Sequence, residues 1–194
     1  FLPGSTNAAP HFDAEGVARQ LAEAGVRYFV FTLGQNGGVM NAPNATYERL
    51  AGYAPGARCS ARDLPLALAD ALKPHGIRLM LYLPCQTPNR DLQAVRAFGL
   101  PEEKLNHDRK IDPAFGRKWA QVIQEWSDRY GDRVSGWWFD GGYAWVGFND
   151  EIAALYAAAA KHGNPDAVVT FNPGVSLKRW TRAEDYTAGE LNEP

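Results

Sequence analysis

Four short runs of nearly continuous apolar residues, separated by segments with helical spacing, limit the possible folds of this chain more than any other feature. The strand-like runs cover residues 28–33, 77–83, 134–139 and 167–171, and the helix-like segments cover residues 13–24, 63–72, 113–130 and 150–161. Apolar strands that alternate with helices are typical of a parallel sheet covered by helices on its faces. Residues 86–112 are polar and irregular, which predicts a loop with about one helical turn.

Two architectures fit this alternation: a (β/α)8 TIM-type barrel and a doubly wound sheet. The Gly-rich stretch at residues 34–38 lacks the GxGxxG spacing and opens a long loop, which disfavours the nucleotide-binding form of the doubly wound sheet. A complete barrel takes about 250 residues, so the 194-residue chain would supply only part of one, about four β/α units. No low-complexity linker divides the chain. We therefore predict a single domain over residues 1–194, as a piece of a longer protein.

Composition excludes several classes of function. The net charge is −2 and no basic run is present, so we expect neither a nucleic-acid partner nor an anionic membrane surface. No apolar segment approaches the roughly 18–20 residues of a membrane span. The two cysteines, Cys59 and Cys85, have no metal-ligand spacing and the four histidines are scattered, so we predict no metal site. Unlinked thiols are favoured over a disulfide.

The end of the third strand carries the clearest candidate for chemistry. Asp140 follows an apolar run that includes Trp137, Trp138 and Phe139, and two glycines come next. Side chains at the carboxyl ends of parallel strands line active sites. A carboxylate walled by these aromatic rings would suit a sugar ring. The alternative is that Asp140 only caps the turn, as Asp before Gly often does.

Polar residues follow the other strands too, and a shared rim would bring them together. The candidates to bind substrate there are Gln35, Asn36, Tyr82, Tyr143 and Asn172, with Asn41, Asn44 and Tyr47 further along the first loop. Glu190 supplies a second carboxylate, unless it is a solvated surface acid. Paired carboxylates are the minimum equipment for glycoside hydrolysis, about 5–5.5 Å apart in retaining enzymes and about 6.5–9.5 Å apart in inverting ones.

At this point the strand ends resemble those of a known family. The stretch from Trp138 to Gly141 is similar to the nucleophile strand of the family 29 α-L-fucosidases, which are retaining (β/α)8-barrel glycosidases. Residues 12–28 and 62–82 resemble that family's preceding helices and strands, and residues 185–190 resemble a later acidic segment. The resemblance runs in order over nearly the whole chain.

The resemblance implies roles for individual residues. Asp140 would be the nucleophile, Glu190 would lie where a catalytic or sugar-binding acid sits, and Trp138 would border the sugar. No metal or cofactor is implied, and the partner would be an oligo- or polysaccharide. One position departs from the family: Gln35 and Asn36 stand where fucosidases carry a His-His-Asp cluster. The resemblance therefore implies glycosidase chemistry more directly than it implies fucose.

Two other functions stay open on the sequence alone. The altered loop at Gln35 and Asn36 is compatible with a carbohydrate-binding barrel that has lost catalysis, although retention of Asp140 argues against it. A sugar isomerase on the same barrel would commonly need a metal or a Lys or His base at the rim. No such cluster is visible, so we rank this function last.

Overall fold

The structure, a computed structural model, describes residues 11–102, 109–175 and 179–190. The helices are α1 (Ala14–Glu23), α2 (Ala45–Ala51), α3 (Leu64–Leu72), α4 (Leu92–Phe98), α5 (Pro113–Tyr130) and α6 (Asp150–Lys161). The strands are β1 (Tyr28–Thr32), β2 (Gly34–Gln35), β3 (Val39–Met40), β4 (Arg78–Pro84), β5 (Val134–Asp140) and β6 (Val168–Phe171). The fold is therefore mixed α/β.

A four-stranded parallel sheet organises the molecule, as predicted from the four apolar runs. Its strand order is β1-β4-β5-β6, so each strand lies beside the one that precedes it in the main sheet. One row across the sheet consists of Thr32, Tyr82, Trp138 and Thr170. The strands β2 and β3 form a separate antiparallel hairpin just after β1. All four carboxyl ends therefore meet at one edge.

Side-chain caps explain why the long helices begin where the sequence predicts. Asp13, Asp63, Asp112 and Asn149 each accept a hydrogen bond from a backbone N–H in the first turn of the following helix. These bonds satisfy N–H groups that the helix itself leaves free. Pro113 adds a fixed φ at the first position of α5, where no N–H is needed.

Two short helices differ from the sequence-based expectation. The helix α4 lies inside the predicted loop at residues 86–112, and α2 lies in the stretch expected at the rim. Asn44 caps α2, is 1% exposed and donates through Nδ2 to the carbonyl of Val122. Tyr47 is fully buried. The rim assignment was therefore wrong for both residues, because a seven-residue helix shows too little periodicity to identify.

The two faces of the sheet are unequal. Trp137 and Phe139 point to the helix side, where the Phe139 ring lies 5.6 Å from Tyr156 of α6 and 5.3 Å from Phe171. Trp138 and Asp140 lie on the opposite face because side chains alternate along a strand. The expectation that all three aromatic rings wall Asp140 was therefore wrong for Trp137 and Phe139, which belong to the core.

The face that carries Trp138 is exposed to solvent near the amino-terminal ends of the strands. Tyr28, Val30 and Val168 are 60%, 36% and 39% exposed. A hollow of about 580 Å³ extends across this face, lined by residues of all four strands from Tyr28 of β1 to Val168 of β6. A sheet with helices on both faces would bury these side chains. In the part of the chain that the structure describes, the expected helical cover is thus missing from this end of the second face.

Candidate active site

Asp140 ends β5 at the edge where the strand carboxyl ends meet, and three donors hold its carboxylate. The Tyr82 hydroxyl donates to Oδ2 at 2.6 Å. The Asn172 amide and the backbone N–H of Gly141 both donate to Oδ1, each at 2.8 Å. Neighbouring elements therefore fix this carboxylate from both sides, and it does not simply cap its own turn.

Tyr82 reaches Asp140 from the adjacent strand β4. Its ring stacks on Trp138 with centroids 5.4 Å apart and planes 21° from parallel. Burial, followed by the hydrogen bond to Asp140, raises the pKa of the Tyr82 phenol well above its ordinary value. The hydroxyl therefore stays protonated and donates at any physiological pH. Gln35 also contacts Tyr82, since its Nε2 donates a hydrogen bond to the Tyr82 hydroxyl at 3.2 Å.

Asn172 links the two carboxylates. It follows β6, is fully buried and donates from Nδ2 to Asp140 at 2.8 Å and to Oε1 of Glu190 at 3.0 Å. The side-chain oxygen Oδ1 of Asn172 accepts a hydrogen bond from the backbone N–H of Gly174, which fixes the orientation of the amide. The two carboxylate oxygens thus lie no farther apart than the sum of these two bond lengths. Glu190 is exposed, yet the structure brings it to Asp140.

Tyr143 and Trp145 form an aromatic pair beside the carboxylates. Their rings stack with centroids 4.1 Å apart and planes 12° from parallel. Burial and then the charges of Asp140 and Glu190 raise the pKa of Tyr143. The Tyr143 ring lies against Gly174, whose carbonyl accepts a hydrogen bond from the backbone of Glu190. The sequence analysis missed Trp145. An aromatic residue five positions after a candidate nucleophile, in a Gly-rich loop, was the available signal.

Asn36, the remaining candidate to bind substrate, lies in the turn of the β2–β3 hairpin. Its backbone carbonyl accepts a hydrogen bond from the backbone N–H of Arg90, which joins the hairpin to the loop after β4.

The cysteines form no disulfide. Cys59 and Cys85 are both buried and free. Burial raises the pKa of the Cys85 thiol, so it stays protonated. Among the described residues, no three His, Cys, Asp or Glu side chains converge as metal ligands would.

A family model gives the chain its relationship to known proteins. The model described as "Alpha-L-fucosidase" matches residues 5–194. The chain belongs to the α-L-fucosidase family. This membership agrees with the resemblance at the end of β5. No curated protein matches the chain at a significant level.

Solved structures that share the fold include members of two glycoside hydrolase families. An α-L-fucosidase of family 29 from Bacteroides thetaiotaomicron superposes with a TM-score of 0.58 at 20% identity, covering 82% of this chain and 34% of that one. A trapped covalent intermediate of an α-L-fucosidase from that organism, with 2-fluoro-fucosyl fluoride, gives 0.59 at 21% identity, covering 82% and 34%. The endo-fucoidan hydrolase MfFcnA4 of family 107 gives 0.61 at 20% identity, covering 84% and 30%.

The chain therefore spans about a third of the length of these structures. At such low identity the likeness concerns the fold, and the active site must be argued from this chain's own residues. In the described residues, no helix is long and apolar enough to cross a membrane.

Proposed function

We propose that this chain carries the central part of a retaining glycosidase active site, with Asp140 as nucleophile and Glu190 as acid/base. The observation that carries the proposal is the buried Asn172 amide, which donates to both carboxylates. Two acids that share one nitrogen donor, in an edge open to solvent, can act on the two sides of one glycosidic bond. The family membership supports an O-glycosidic substrate in which α-L-fucose is the first sugar to test.

The chemistry proceeds in two balanced steps. An oxygen of Asp140 bonds to the anomeric carbon while the glycosidic C–O bond breaks, and the carboxyl group of Glu190 gives its proton to the departing oxygen. In the second step Glu190 takes a proton from water, the water oxygen bonds to the anomeric carbon, and the bond to Asp140 breaks. No group outside the protein, the glycoside and water is needed.

The spacing of the acids supports retention over inversion. Inverting enzymes hold their carboxyl groups about 6.5–9.5 Å apart to admit a water molecule, and retaining enzymes hold them about 5–5.5 Å apart. The two hydrogen bonds to the Asn172 nitrogen limit the distance between Oδ1 of Asp140 and Oε1 of Glu190 to at most the sum of their lengths, which supports the shorter spacing. The trapped covalent intermediate of the Bacteroides thetaiotaomicron relative is consistent with the same chemistry in this family.

The other rim residues would contact or support the sugar. The stacked rings of Tyr82 and Trp138 offer a partly apolar wall, and Gln35 offers amide hydrogen bonds. Asn36 and Tyr143 would contact sugar hydroxyls nearby. Asn172 would act mainly by holding the two acids, because its amide nitrogen already donates to both of them.

We further propose that residues 1–194 belong to one domain, an incomplete (β/α)8 barrel. Four parallel strands in sequential order, with helices against one face, support a singly wound sheet. The doubly wound alternative would reverse the strand order at a switch point. The open face at Tyr28, Val30 and Val168 is where the rest of a barrel would pack.

Covalent labelling of the full-length protein tests the nucleophile. Incubation with 2-deoxy-2-fluoro-α-L-fucosyl fluoride should add one sugar mass to the peptide that contains Asp140, because the fluorine slows release of the glycosyl-enzyme. Asp140→Asn should lose the label and, at steady state, most turnover, by roughly 10³-fold or more. Asp132→Asn, an exposed acid before β5, serves as the control. Labelling of another residue, or wild-type rates in Asp140→Asn, would refute the assignment.

One observation supports a second candidate function. Gln35 and Asn36 occupy the loop where fucosidases carry histidines, and an amide cannot change charge during a reaction. This favours a carbohydrate-binding barrel without turnover as the alternative. Saturable binding of fucosides by the full-length protein, with no hydrolysis over a broad glycoside panel, would establish that alternative.

A further inference from the structure

A rigid turn after β5 presents Trp145 at the rim. A 3₁₀ turn covers Ala144–Val146, and the backbone N–H of Phe148 donates back to the carbonyl of Tyr143. Val146 is fully buried, and its carbonyl accepts from the backbone of Ile111 at 2.7 Å. Gly147 closes the turn with φ +85°, where an added Cβ would lie 2.4 Å from the Ile111 carbonyl oxygen. The position of Trp145 is therefore set by the fold.

The ring of Trp145 has one covered face and one free face. Tyr143 stacks on the inner face and is itself backed by Gly174, where an added Cβ would lie 3.3 Å from the Tyr143 ring. The indole is nevertheless 59% exposed, more than any other described tryptophan. The exposed indole face is therefore available to pack against a ligand.

The order of groups gives the direction of the pair. The Tyr143 ring lies beside Gly141, which follows Asp140, and beside Gly174, whose carbonyl accepts a hydrogen bond from the backbone of Glu190. Trp145 stacks on the Tyr143 ring and is the more exposed of the two side chains. The sugar that Asp140 attacks would lie at the carboxylates, against Tyr82 and Trp138. Trp145 is therefore the outer, solvent-facing ring of the pair, and solvent is the side toward which a leaving group departs.

We propose that Trp145 is the platform for the first sugar of the leaving group. A pyranose ring presents an apolar face of C–H groups, which fits an exposed indole as well as it fits an aromatic partner. The inference rests on the proposed glycosidase function and adds a residue that determines specificity: Trp145 favours glycosides whose leaving group is a further sugar over those with small leaving groups. Trp145 thereby sets specificity without taking part in the bond changes.

Two substrates with the same fucosyl group and different leaving groups distinguish binding of the leaving group from catalysis. α-L-Fucosyl fluoride leaves behind only fluoride, so nothing reaches Trp145, whereas an α-L-fucosyl-galactose disaccharide places galactose there. In the full-length protein, Trp145→Ala should raise KM and lower kcat/KM for the disaccharide by about 3- to 10-fold. The kinetic constants for the fluoride should not change. Trp145→Phe should recover most of the disaccharide activity.

Leu92→Ala is a suitable matched control, because it also shortens an exposed apolar side chain, on α4. It should leave both substrates unaffected. Equal losses on the fluoride and the disaccharide in Trp145→Ala would overturn the platform, since they would indicate a role in positioning Tyr143. Unchanged disaccharide kinetics would overturn it as well. A wild-type protein that hydrolyses neither substrate would instead refute the proposed function, and the inference with it.

Discussion

At the scale of single residues, the site depends on an uncharged buried amide between two acids. Asn172 can donate to Asp140 and Glu190 together because an amide nitrogen carries two hydrogens. An acid at this position would add a negative charge beside the pair, and a hydrophobic residue would leave both side chains without a shared partner. The amide therefore holds the two side chains together without adding a charge.

Asn172→Asp should lower kcat/KM by about 100-fold, the size of effect that a small misplacement of reacting groups produces. The added negative charge favours protonation of its neighbours, so the acid limb of the pH–rate profile should move to higher pH. Asn149→Asp is the control, since Asp caps α6 as well as Asn does. A pH profile of Asn172→Asp that is lower but unshifted would argue for a purely structural role of Asn172.

At the scale of elements, the β2–β3 hairpin delivers Gln35 to Tyr82. The turn relies on Gly38, whose φ is +72°. An added Cβ there would lie 2.8 Å from the Tyr47 hydroxyl and 2.9 Å from Oδ2 of Asp91. Both of these side chains are buried, so neither can easily move aside. The hairpin is thus fixed against the core.

Gly38→Ala should destabilise the protein by roughly 1–3 kcal/mol, because it combines a strained φ with a clash. It should also lower kcat/KM, since Gln35 would shift away from Tyr82. Gly37→Ala offers a control one residue away, where an added Cβ meets nothing within 4 Å and φ is ordinary. Urea unfolding of both variants measures the effect. Equal stability of the two would contradict the close packing at Gly38.

At the scale of the whole molecule, helices bury one face of the sheet, and the opposite face is exposed near the amino-terminal ends of the strands. The chain spans about a third of the solved relatives, and β1 and β6 end the described sheet with free edges. A barrel would close over this face and bury the exposed side chains of Tyr28, Val30 and Val168.

Val30→Asp tests the barrel in the full-length protein. If the open face becomes the barrel interior, the unpaired charge should cost several kcal/mol of unfolding free energy. Val175→Asp is the control, because Val175 is 68% exposed beyond the end of β6. Thermal or urea unfolding compares the two. Similar stability of both variants would mean that the face at Val30 stays in water.

The sequence by itself determined the regular elements and the position of Asp140. Apolar runs, helical spacing and capping residues act over a few positions, so they predicted the four main strands, the four longer helices and the carboxylate at the end of β5. The short helices α2 and α4 escaped because seven residues carry too little periodic signal.

Only the tertiary structure decided which side chains meet. Strand pairing brings Tyr82 to Asp140, and the chain after β6 returns Glu190 to Asn172. The alternation along β5 sends Trp137 and Phe139 into the core, while Trp138 faces the site. The stacking of Trp145 on Tyr143 likewise depends on how the turn packs against Ile111. Contacts between residues distant in sequence have no local pattern, because they arise from packing of the elements.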